Sequence, residues 1–240
     1  MKAIIMAGGK GSRISSQIGN MPKSMLEING KPIIRTTTEM LIALSMDVIV
    51  CTGYQSKIIE AALTGLNVRF VHNPFYDITN NIASLWFARH EIDDDVILLS
   101  ADVVFEYEII KRLMVQEHRL TMMVDKSRTL DGDYFFKLSD DGHILDYGSE
   151  IPLALRSCEY IGLSKIRKDI ASIFTGKLDE MIRTQNHQLY FEKAILSFNG
   201  NEKMRANTID ISGLRWREID TYDDYLKALQ QFQNEEQAHV

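Results

Sequence analysis

Residues 2–13 decide the fold, and they read KAIIMAGGKGSR. The apolar run Lys2–Met6 predicts a buried strand, and glycines follow it directly. They are Gly8, Gly9 and Gly11. Glycine lets backbone N–H groups approach a phosphate closely, because no side chain stands between them. Since Lys10 and Arg13 add positive charge, the stretch indicates a strand that leads into an anion-binding loop.

Strands and helices alternate outward from this loop. The predicted strands cover 2–6, 47–52, 68–71, 96–100 and 120–124. The predicted helices cover 33–44 (after Pro32), 55–63, 81–90 and 106–118. Such alternation is typical of right-handed βαβ units. We therefore predict an α/β fold with a Rossmann-like, mostly parallel sheet flanked by helices. The glycine loop then lies at the carboxyl edge of the sheet, where such folds bind ligands.

The pattern changes after residue 125. Asp140-Asp141-Gly142 separates the runs 134–138 and 143–147, which predicts a β-hairpin. Further predicted strands cover 159–165, 208–211 and 216–219, and further helices cover 167–183, 190–198 and 222–233. The sequence thus predicts one domain over residues 1–240. It consists of an α/β core at about 1–125, a small mixed lobe at about 126–200, and a C-terminal strand and helix at 201–240 with a frayed end at 234–240.

The charge distribution narrows the class of ligand. A net charge of -6 argues against bulk binding to DNA or RNA. Residues 1–35 nevertheless hold six Lys or Arg side chains and a single acid, Glu27. A basic patch on an acidic chain suits a small, multiply charged anion. Chance clustering on a solvated face is the alternative that composition leaves open.

The apolar runs of the chain are short. None approaches the roughly 20 residues that span a bilayer. Gly8-Gly9 also ends the first apolar stretch too early for a secretion signal. We therefore expect a cytoplasmic protein without membrane insertion. Cys51 and Cys158 are too few for a disulfide framework or a zinc site, and we interpret them as core thiols.

Two familiar phosphate-binding motifs do not fit the glycine loop. A dinucleotide fingerprint that begins at Gly9 requires glycine at position 14, where the chain has Ile14. A P-loop requires Gly-Lys-Ser/Thr, but Lys10 is followed by Gly11. The pattern that remains is G-G-x-G-x-R, followed by Pro22-Lys23.

This remaining pattern resembles a known family signature. Residues 3–23, AIIMAGGKGSR…MPK, are similar to nucleotidyltransferases related to the sugar-1-phosphate nucleotidylyltransferases. The resemblance implies that the loop wraps the triphosphate of a nucleotide. It also implies that Arg13 and Lys23 act in catalysis by stabilising charge on the α-phosphate. The loop residues expected to bind nucleotide are Ala7, Gly8, Gly9, Lys10, Gly11 and Ser12.

Acidic residues follow two of the predicted strands. Asp102 ends the apolar run VILLSAD, which places its carboxylate at the same sheet edge as the glycine loop. A strand-end aspartate is as often a helix cap or a turn former as a metal ligand. Glu218 and Asp220 are two positions apart on a strand, so both side chains point to one face.

The resemblance implies a metal at these acidic positions. Mg²⁺ prefers hard oxygen ligands and takes one or two carboxylates together with phosphate oxygens. Family members hold Mg²⁺ with an aspartate at the place of Asp102, and Asp220 and Glu218 complete the expected set. The C-terminal segment 201–240 would then complete the metal site. The alternative for Asp220 is that it only caps the last helix.

Further stretches resemble one branch of the family, the cytidylyltransferases that act on phosphocholine and on phosphonates such as 2-aminoethylphosphonate. They are TNNIASL at 79–85, CEYIGL at 158–163 and WREIDTYDDYLKA at 216–228. The resemblance implies that Asn81 and Ser84 lie near the nucleotide base. The alternative is that Asn81 only starts a helix.

The region 125–200 resembles that branch least, and it holds the candidates for acceptor binding. Lys137 matches a lysine in a D-x-E-x-M-K-like stretch of the relatives, and Glu159 matches a glutamate that contacts the acceptor. Tyr134 begins the run Tyr134-Phe135-Phe136, which suits half of a cation–π box for a quaternary ammonium. The alternatives are a surface position for Glu159 and a core strand for the aromatic run.

We therefore predict a Mg²⁺-dependent cytidylyltransferase. It would transfer CMP from CTP to a small phosphorylated or phosphonate acceptor and release pyrophosphate. A sugar-1-phosphate nucleotidylyltransferase that uses another NTP is the nearest alternative. A non-catalytic, nucleotide-binding regulatory domain is an alternative of another class. A homodimer is compatible with the sequence, which leaves the oligomeric state open.

Overall fold

The computed structural model describes residues 1–232. The predicted frayed end at 234–240 and the last residue of the predicted helix 222–233 lie outside the described residues. The strands are β1 (Lys2–Ala7), β2 (Glu27–Ile28), β3 (Lys31–Pro32), β4 (Asp47–Thr52), β5 (Val68–His72), β6 (Val96–Ser100), β7 (Val103–Phe105), β8 (Leu120–Asp125), β9 (Phe135–Leu138), β10 (Ile144–Gly148), β11 (Cys158–Ile166), β12 (Asn207–Asp210) and β13 (Trp216–Glu218). The α-helices are α1 (Ile33–Ala43), α2 (Ser56–Ala62), α3 (Asn81–Phe87), α4 (Tyr107–Met114), α5 (Ala171–Arg183), α6 (Glu192–Leu196) and α7 (Tyr222–Phe232).

One large sheet organises residues 1–232. Its strand order is β10-β9-β11-β6-β1-β4-β5, and β8 joins it by pairing with β11 and with β12. The pairs β1–β4, β1–β6, β4–β5 and β8–β12 are parallel. The long strand β11 runs antiparallel to β6, β8 and β9. The hairpin β9–β10 therefore continues the main sheet, with β11 as the connection.

The alternation of side chains along β1 explains the layers. Ile4 and Met6 pack on one face of the sheet against α3, α5 and α6. Ala3 and Ile5 pack on the other face against α1, α2 and α4. Successive side chains of a strand point to opposite faces, so one short apolar strand supplies both cores. The predicted α/β fold, a mostly parallel sheet flanked by helices, is confirmed.

The element bounds differ from the prediction at several helix ends. The predicted helix 81–90 ends at Phe87, and a short 3₁₀ turn, Arg89–Glu91, follows it. The predicted helix 106–118 ends at Met114, and the next side chain, Val115, is exposed and has nothing to pack against. The hairpin signal at Asp140-Asp141-Gly142 is confirmed, since β9 and β10 pair antiparallel around it.

A small pairing outside the main sheet positions the C-terminal segment. Strand β13 pairs antiparallel with β7, with Glu218 opposite Val103. The backbone N–H of Ile219 donates to the carbonyl of Asp102 over 3.0 Å. The sequence does not reveal β7, because three residues are too few to show a period. This pairing brings the chain around position 220 to the carboxyl end of β6.

Helix α7 packs against this C-terminal segment. Ala228 and Phe232 of α7 form an apolar cluster with Ile219 and with residues of the N-terminal segment. Those residues include Ile14 and Ile33. Burial of an isoleucine or phenylalanine side chain stabilises the folded state by about 1.5–3 kcal/mol. The cluster therefore fixes the segment that follows the glycine loop against the segment around position 220.

Candidate active site

A cavity of about 860 Å³ opens at the carboxyl ends of β1 and β6. Its floor includes Ala7 at the end of β1 and Ser100 at the end of β6. One wall is the glycine loop, and the opposite wall begins at Tyr134, just before β9. The carboxyl edge of a parallel sheet is the usual ligand site in folds of this class. The cavity is therefore the candidate active site.

Most residues selected from the sequence line this cavity. They are Ala7, Gly8, Gly9, Gly11, Ser12, Arg13, Lys23, Asn81, Ser84, Asp102, Tyr134, Glu218 and Asp220. Within the described part of the chain, three selected residues are not in the lining: Lys10, Lys137 and Glu159. The Nζ atom of Lys10 instead lies over the ring of Tyr76, 5.7 Å from its centre. Tyr76 itself lines the cavity, so Lys10 remains beside the wall.

Gly11 shows why the loop needs glycine. Its φ is +61°, in the left-handed region that side chains disfavour. A Cβ at this position would lie 2.6 Å from Cγ of Lys23. The absence of a side chain therefore opens the path along which Lys23 crosses the loop and enters the cavity.

Three carboxylates meet at the end of this path. One oxygen from each of Asp102, Glu218 and Asp220 lies within 4.8 Å of the others, and we call these three residues the acidic cluster. The β7–β13 pairing brings them together across more than one hundred positions of sequence. Strand β13 ends at Glu218, so Asp220 contributes to the cluster from the segment that follows the strand.

Two cations compensate the acidic cluster. Lys23 Nζ donates to Asp102 Oδ2 over 3.1 Å and also to Asp220 Oδ1. Arg13 Nη2 lies 2.8 Å from Asp220 Oδ1 and 2.8 Å from Asp133 Oδ2. Asp220 therefore connects the two cations, and Arg13 connects the glycine loop to the segment before β9.

The pKa values record the excess of negative charge. Burial raises the pKa of Glu218 well above its ordinary value, and the neighbouring Asp102 and Asp220 add to this effect. Burial and a hydrogen bond to Asp133 raise the pKa of Asp220 to about 7, against the opposing effect of Lys23. Burial would lower the pKa of Lys23, but Asp102 and Asp220 outweigh it and raise the value. Three hard oxygen donors in this situation fit a divalent cation such as Mg²⁺, whose charge would stabilise their ionised forms.

The far wall of the cavity is aromatic and charged. Tyr134 and Tyr147 stack with ring centres 6.5 Å apart, and Glu192 and Lys193 of α6 lie beside them. We call these four residues the aromatic wall. Burial raises the pKa of Glu192 to about 7. Burial, with a contribution from Glu192, also raises the pKa of Tyr134, so that its phenol remains a neutral donor.

The sequence is compatible with the run Tyr134-Phe135-Phe136 either as part of a binding wall or as a core strand. The structure places its residues differently. Phe135 and Phe136 are buried in the core, with at most 1% of their surface exposed. Tyr134 lines the cavity. Because Phe135 and Phe136 pair with β11, they are fixed as sheet residues, whereas Tyr134 precedes β9 at the cavity wall.

Glu159 lies beneath the segment that carries Asp133. Its side chain is buried, and its carboxylate accepts from the backbone of Asp133. Arg128 Nη1 lies 3.8 Å from its Oε2. A Cβ on Gly132 would collide with this carboxylate, so the segment passes directly over it. The structure thus places Glu159 as a support of the cavity wall, and it does not bring this residue to the cavity itself.

Glu159→Gln is expected to remove a pH dependence of stability. Burial raises the pKa of Glu159 to about 7, above the ordinary value of 4.5. The wild-type protein therefore loses up to about 3 kcal/mol of unfolding free energy from this group as pH rises through 7. The variant should not show this loss. Urea unfolding of both proteins at pH 5 and pH 8 measures the difference.

An exposed glutamate provides the control for that comparison. Glu117 has 85% of its side chain exposed. Glu117→Gln should follow the wild-type dependence between pH 5 and pH 8. If Glu159→Gln also followed it, the carboxylate of Glu159 would be ionised without cost and the assigned pKa would be wrong.

Sequence reasoning missed several residues of the cavity. Asp133 gives no signal, because one aspartate before a strand looks like an ordinary turn residue. Glu192 and Lys193 fall in a predicted helix without a charge pattern that marks a site. Asn73 donates to Ser84 Oγ over 3.0 Å, and it follows β5 at the sheet edge. That position at the end of a parallel strand is the one available signal.

The sheet edge and its cavity place the protein in the class of nucleotidyltransferases. The model of the MobA-like NTP transferase domain matches residues 3–165, which is more than half of the chain. The chain belongs to that family.

Three individual proteins show how far the similarity extends. The CMP-5'-(3-aminopropyl)phosphonate synthase of Streptomyces rubellomurinus is 26% identical over 95% of this chain, but the match spans only 38% of that relative. The CTP:phosphoglutamine cytidylyltransferase of Campylobacter jejuni is 27% identical over 93% of this chain and 97% of its own length. The solved structure of the CTP:phosphocholine cytidylyltransferase of Streptococcus pneumoniae superposes with a TM-score of 0.75 and 23% identity, covering 95% of this chain and 97% of the other. That likeness concerns the fold.

The helices of the fold are short and amphipathic for the most part. Across residues 1–232, none combines the length and the apolar character that crossing a bilayer requires.

Proposed function

We propose that the protein is a Mg²⁺-dependent cytidylyltransferase, which transfers CMP from CTP to a small phosphate or phosphonate acceptor. One observation carries the proposal: the acidic cluster, Lys23 and Arg13 converge opposite the glycine loop in a single cavity. A site for triphosphate chemistry needs hard oxygen ligands for a metal and cations for the phosphate charge. Both are present within hydrogen-bonding distance of one another.

The reaction needs no catalytic base. An oxygen of the acceptor's phosphate or phosphonate is already anionic at pH 7. It forms a bond to the α-phosphorus of CTP, while the bond from that phosphorus to the bridging oxygen breaks and pyrophosphate leaves. The barrier is mainly charge repulsion and positioning, so the protein's part is electrostatic.

Each part of the cavity has a role in this scheme. The backbone of residues 7–12, with the charge of Lys10, holds the triphosphate. Arg13 and Lys23 compensate the charge that gathers around the α-phosphate. Asp102, Asp220 and Glu218 would hold Mg²⁺, whose positive charge would help to compensate the charge of the triphosphate.

The base would lie near α3. Asn81 Oδ1 accepts from the backbone N–H of Phe191 over 2.7 Å, so its Nδ2 group is the atom directed to donate. Cytosine offers acceptors at O2 and N3, which match such a donor. Ser84 Oγ accepts from Asn73 and keeps its own proton to donate. The cytidylyl relatives named above support CTP as the donor substrate.

The division of the chain follows from these roles. We propose that residues 1–125 form the nucleotide-binding core and that residues 126–200 form the part of the cavity that binds the acceptor, including the aromatic wall. The segment 201–240, of which the structure describes 201–232, completes the metal site through Glu218 and Asp220. Lys137 and Glu159 are absent from the cavity lining, which therefore does not support their predicted roles in acceptor binding. Tyr134 lines the cavity, which supports its predicted role.

Pyrophosphate release should depend on the base. With Mg²⁺ and a panel of acceptors, we expect CTP to give at least about tenfold more pyrophosphate than UTP, GTP or dTTP, because one or two directed hydrogen bonds discriminate by that factor. The panel comprises phosphocholine, phosphoethanolamine, aminoethylphosphonate, phosphorylated amino acids and sugar 1-phosphates. A preference for another NTP with a sugar 1-phosphate would assign the protein to the sugar nucleotidylyltransferases instead. Binding of CTP without pyrophosphate release from any pair would indicate a regulatory domain.

A further inference from the structure

The aromatic wall contains two buried polar atoms that lack a hydrogen-bond partner. Glu192 is 7% exposed, and its Oε2 makes no hydrogen bond within residues 1–232. The hydroxyl of Tyr134 is in the same situation. Both residues line the cavity. A buried carboxylate oxygen without a donor costs free energy, so a ligand with an N–H or O–H group directed at Glu192 would recover it.

Lys193 already covers the aromatic faces beside these atoms. Its Nζ lies 4.1 Å from the ring centre of Tyr147 and 5.6 Å from that of Tyr134. Among the residues that the structure describes, this ammonium forms no salt bridge. Burial lowers its pKa, and the more distant charges of Glu192 and Asp146 only oppose this effect. The positive charge therefore faces the cavity, where an anion would satisfy it.

This arrangement changes which acceptor fits. A quaternary ammonium binds to the open face of an aromatic ring. Here the protein's own ammonium covers those faces, and it would repel a second cation of the same kind. A carboxylate, in contrast, would accept from Lys193 without displacing it.

We propose that the acceptor carries, at the end remote from its phosphorus, a carboxylate that pairs with Lys193 and a neighbouring N–H or O–H group that donates to Glu192. The acceptor class is thus the phosphate or phosphonate of a small amino or hydroxy acid. The inference rests on the proposed function, and it names the substrate of that same cavity.

Three matched acceptors test the inference. O-Phosphoserine is phosphoethanolamine with one added carboxylate, and phosphocholine is phosphoethanolamine with three added methyl groups. With CTP and Mg²⁺, the wild-type protein should use O-phosphoserine at least about tenfold more efficiently than phosphoethanolamine, as kcat/KM. This is the factor expected of a hydrogen bond between charged groups. Phosphocholine should be the poorest of the three.

Variants at Lys193 assign the effect to this side chain. Lys193→Met keeps the length of the side chain and removes its charge, so the preference for O-phosphoserine over phosphoethanolamine should fall at least about tenfold, mainly through KM. Lys193→Arg keeps the charge and should retain most of the preference. Glu192→Gln should weaken O-phosphoserine and phosphoethanolamine alike, because both carry N–H donors, and should affect phosphocholine less, because its nitrogen carries none. This pattern separates the role of Glu192 from that of Lys193.

The outcomes distinguish the inference from the proposed function. If phosphocholine, or any acceptor of the larger panel without a carboxylate, proved the best substrate, the inference would be wrong while cytidylyl transfer stood. The same holds if Lys193→Met left the preference unchanged. If no acceptor released pyrophosphate from CTP, the proposed function itself would fall, and the inference with it.

Discussion

Lys23→Ala is expected to lose at least about 100-fold in kcat while the fold is retained. This is the cost of deleting one preorganised contact that stabilises charge in a transition state. Lys23 Nζ lies between Asp102 and Asp220, and the side chain is only 12% exposed, so water would replace the ammonium poorly. Pyrophosphate release under saturating CTP measures the rate, and circular dichroism verifies the fold.

The same variant has a second expected effect of opposite sign. Lys23 neutralises the carboxylates that we assign to the metal, so its removal should lower the Mg²⁺ concentration needed for half-saturation. A loss of rate together with tighter metal binding would not arise from a merely unstable protein. Lys31→Ala is the matched control, because Lys31 has 48% of its side chain exposed and pairs with Glu39 away from the cavity. A near-normal rate for Lys23→Ala would contradict the assignment.

Asp102→Asn is expected to raise the Mg²⁺ concentration for half-maximal activity at least about tenfold. Even residues that only orient a metal ligand cost about 10–100-fold in affinity or activity when they are changed, so a ligand should cost no less. Asparagine preserves the size of the side chain and removes the charge. Mn²⁺ binding, followed by electron paramagnetic resonance without nucleotide, provides a readout that does not depend on turnover.

A control for this variant lies two positions before Asp133, outside the cavity lining. Asp131→Asn removes an exposed carboxylate close to Asp133, outside the acidic cluster. It should leave the metal titration unchanged. If Asp102→Asn gave the same titration as the wild-type protein, the metal would be held elsewhere.

The features that arise from local pattern could be predicted from the sequence. The apolar runs 2–6, 47–52 and 96–100 form parallel strands, and the ends of parallel strands necessarily share one edge. That rule is sufficient to place the glycine loop and Asp102 side by side. Asp220 lies beyond the end of β13 at Glu218, so the two-residue period of a strand does not by itself explain why these two carboxylates meet.

The rest of the cavity depends on packing between distant segments. Asp133 meets Arg13 because the segment before β9 passes over Glu159, and neither residue has a local signal for this contact. The aromatic ring of Tyr147 and the ammonium of Lys193 meet because α6 packs beside β10, across elements more than forty positions apart. Glu159, expected from the sequence to contact the acceptor, lies outside the cavity lining, because a strand position alone does not reveal which partner its side chain faces.

The contact between Lys23 and Asp220 joins positions that are 197 residues apart. Closing so long a loop is slow, since its entropy must be lost before the contact contributes. The glycine loop and the first parallel strands can therefore form well before the acidic cluster is assembled. A chain that has folded only its first half would have a place for phosphates but no means of activating them. Catalytic activity would therefore require that the C-terminal segment has folded onto the first half of the domain.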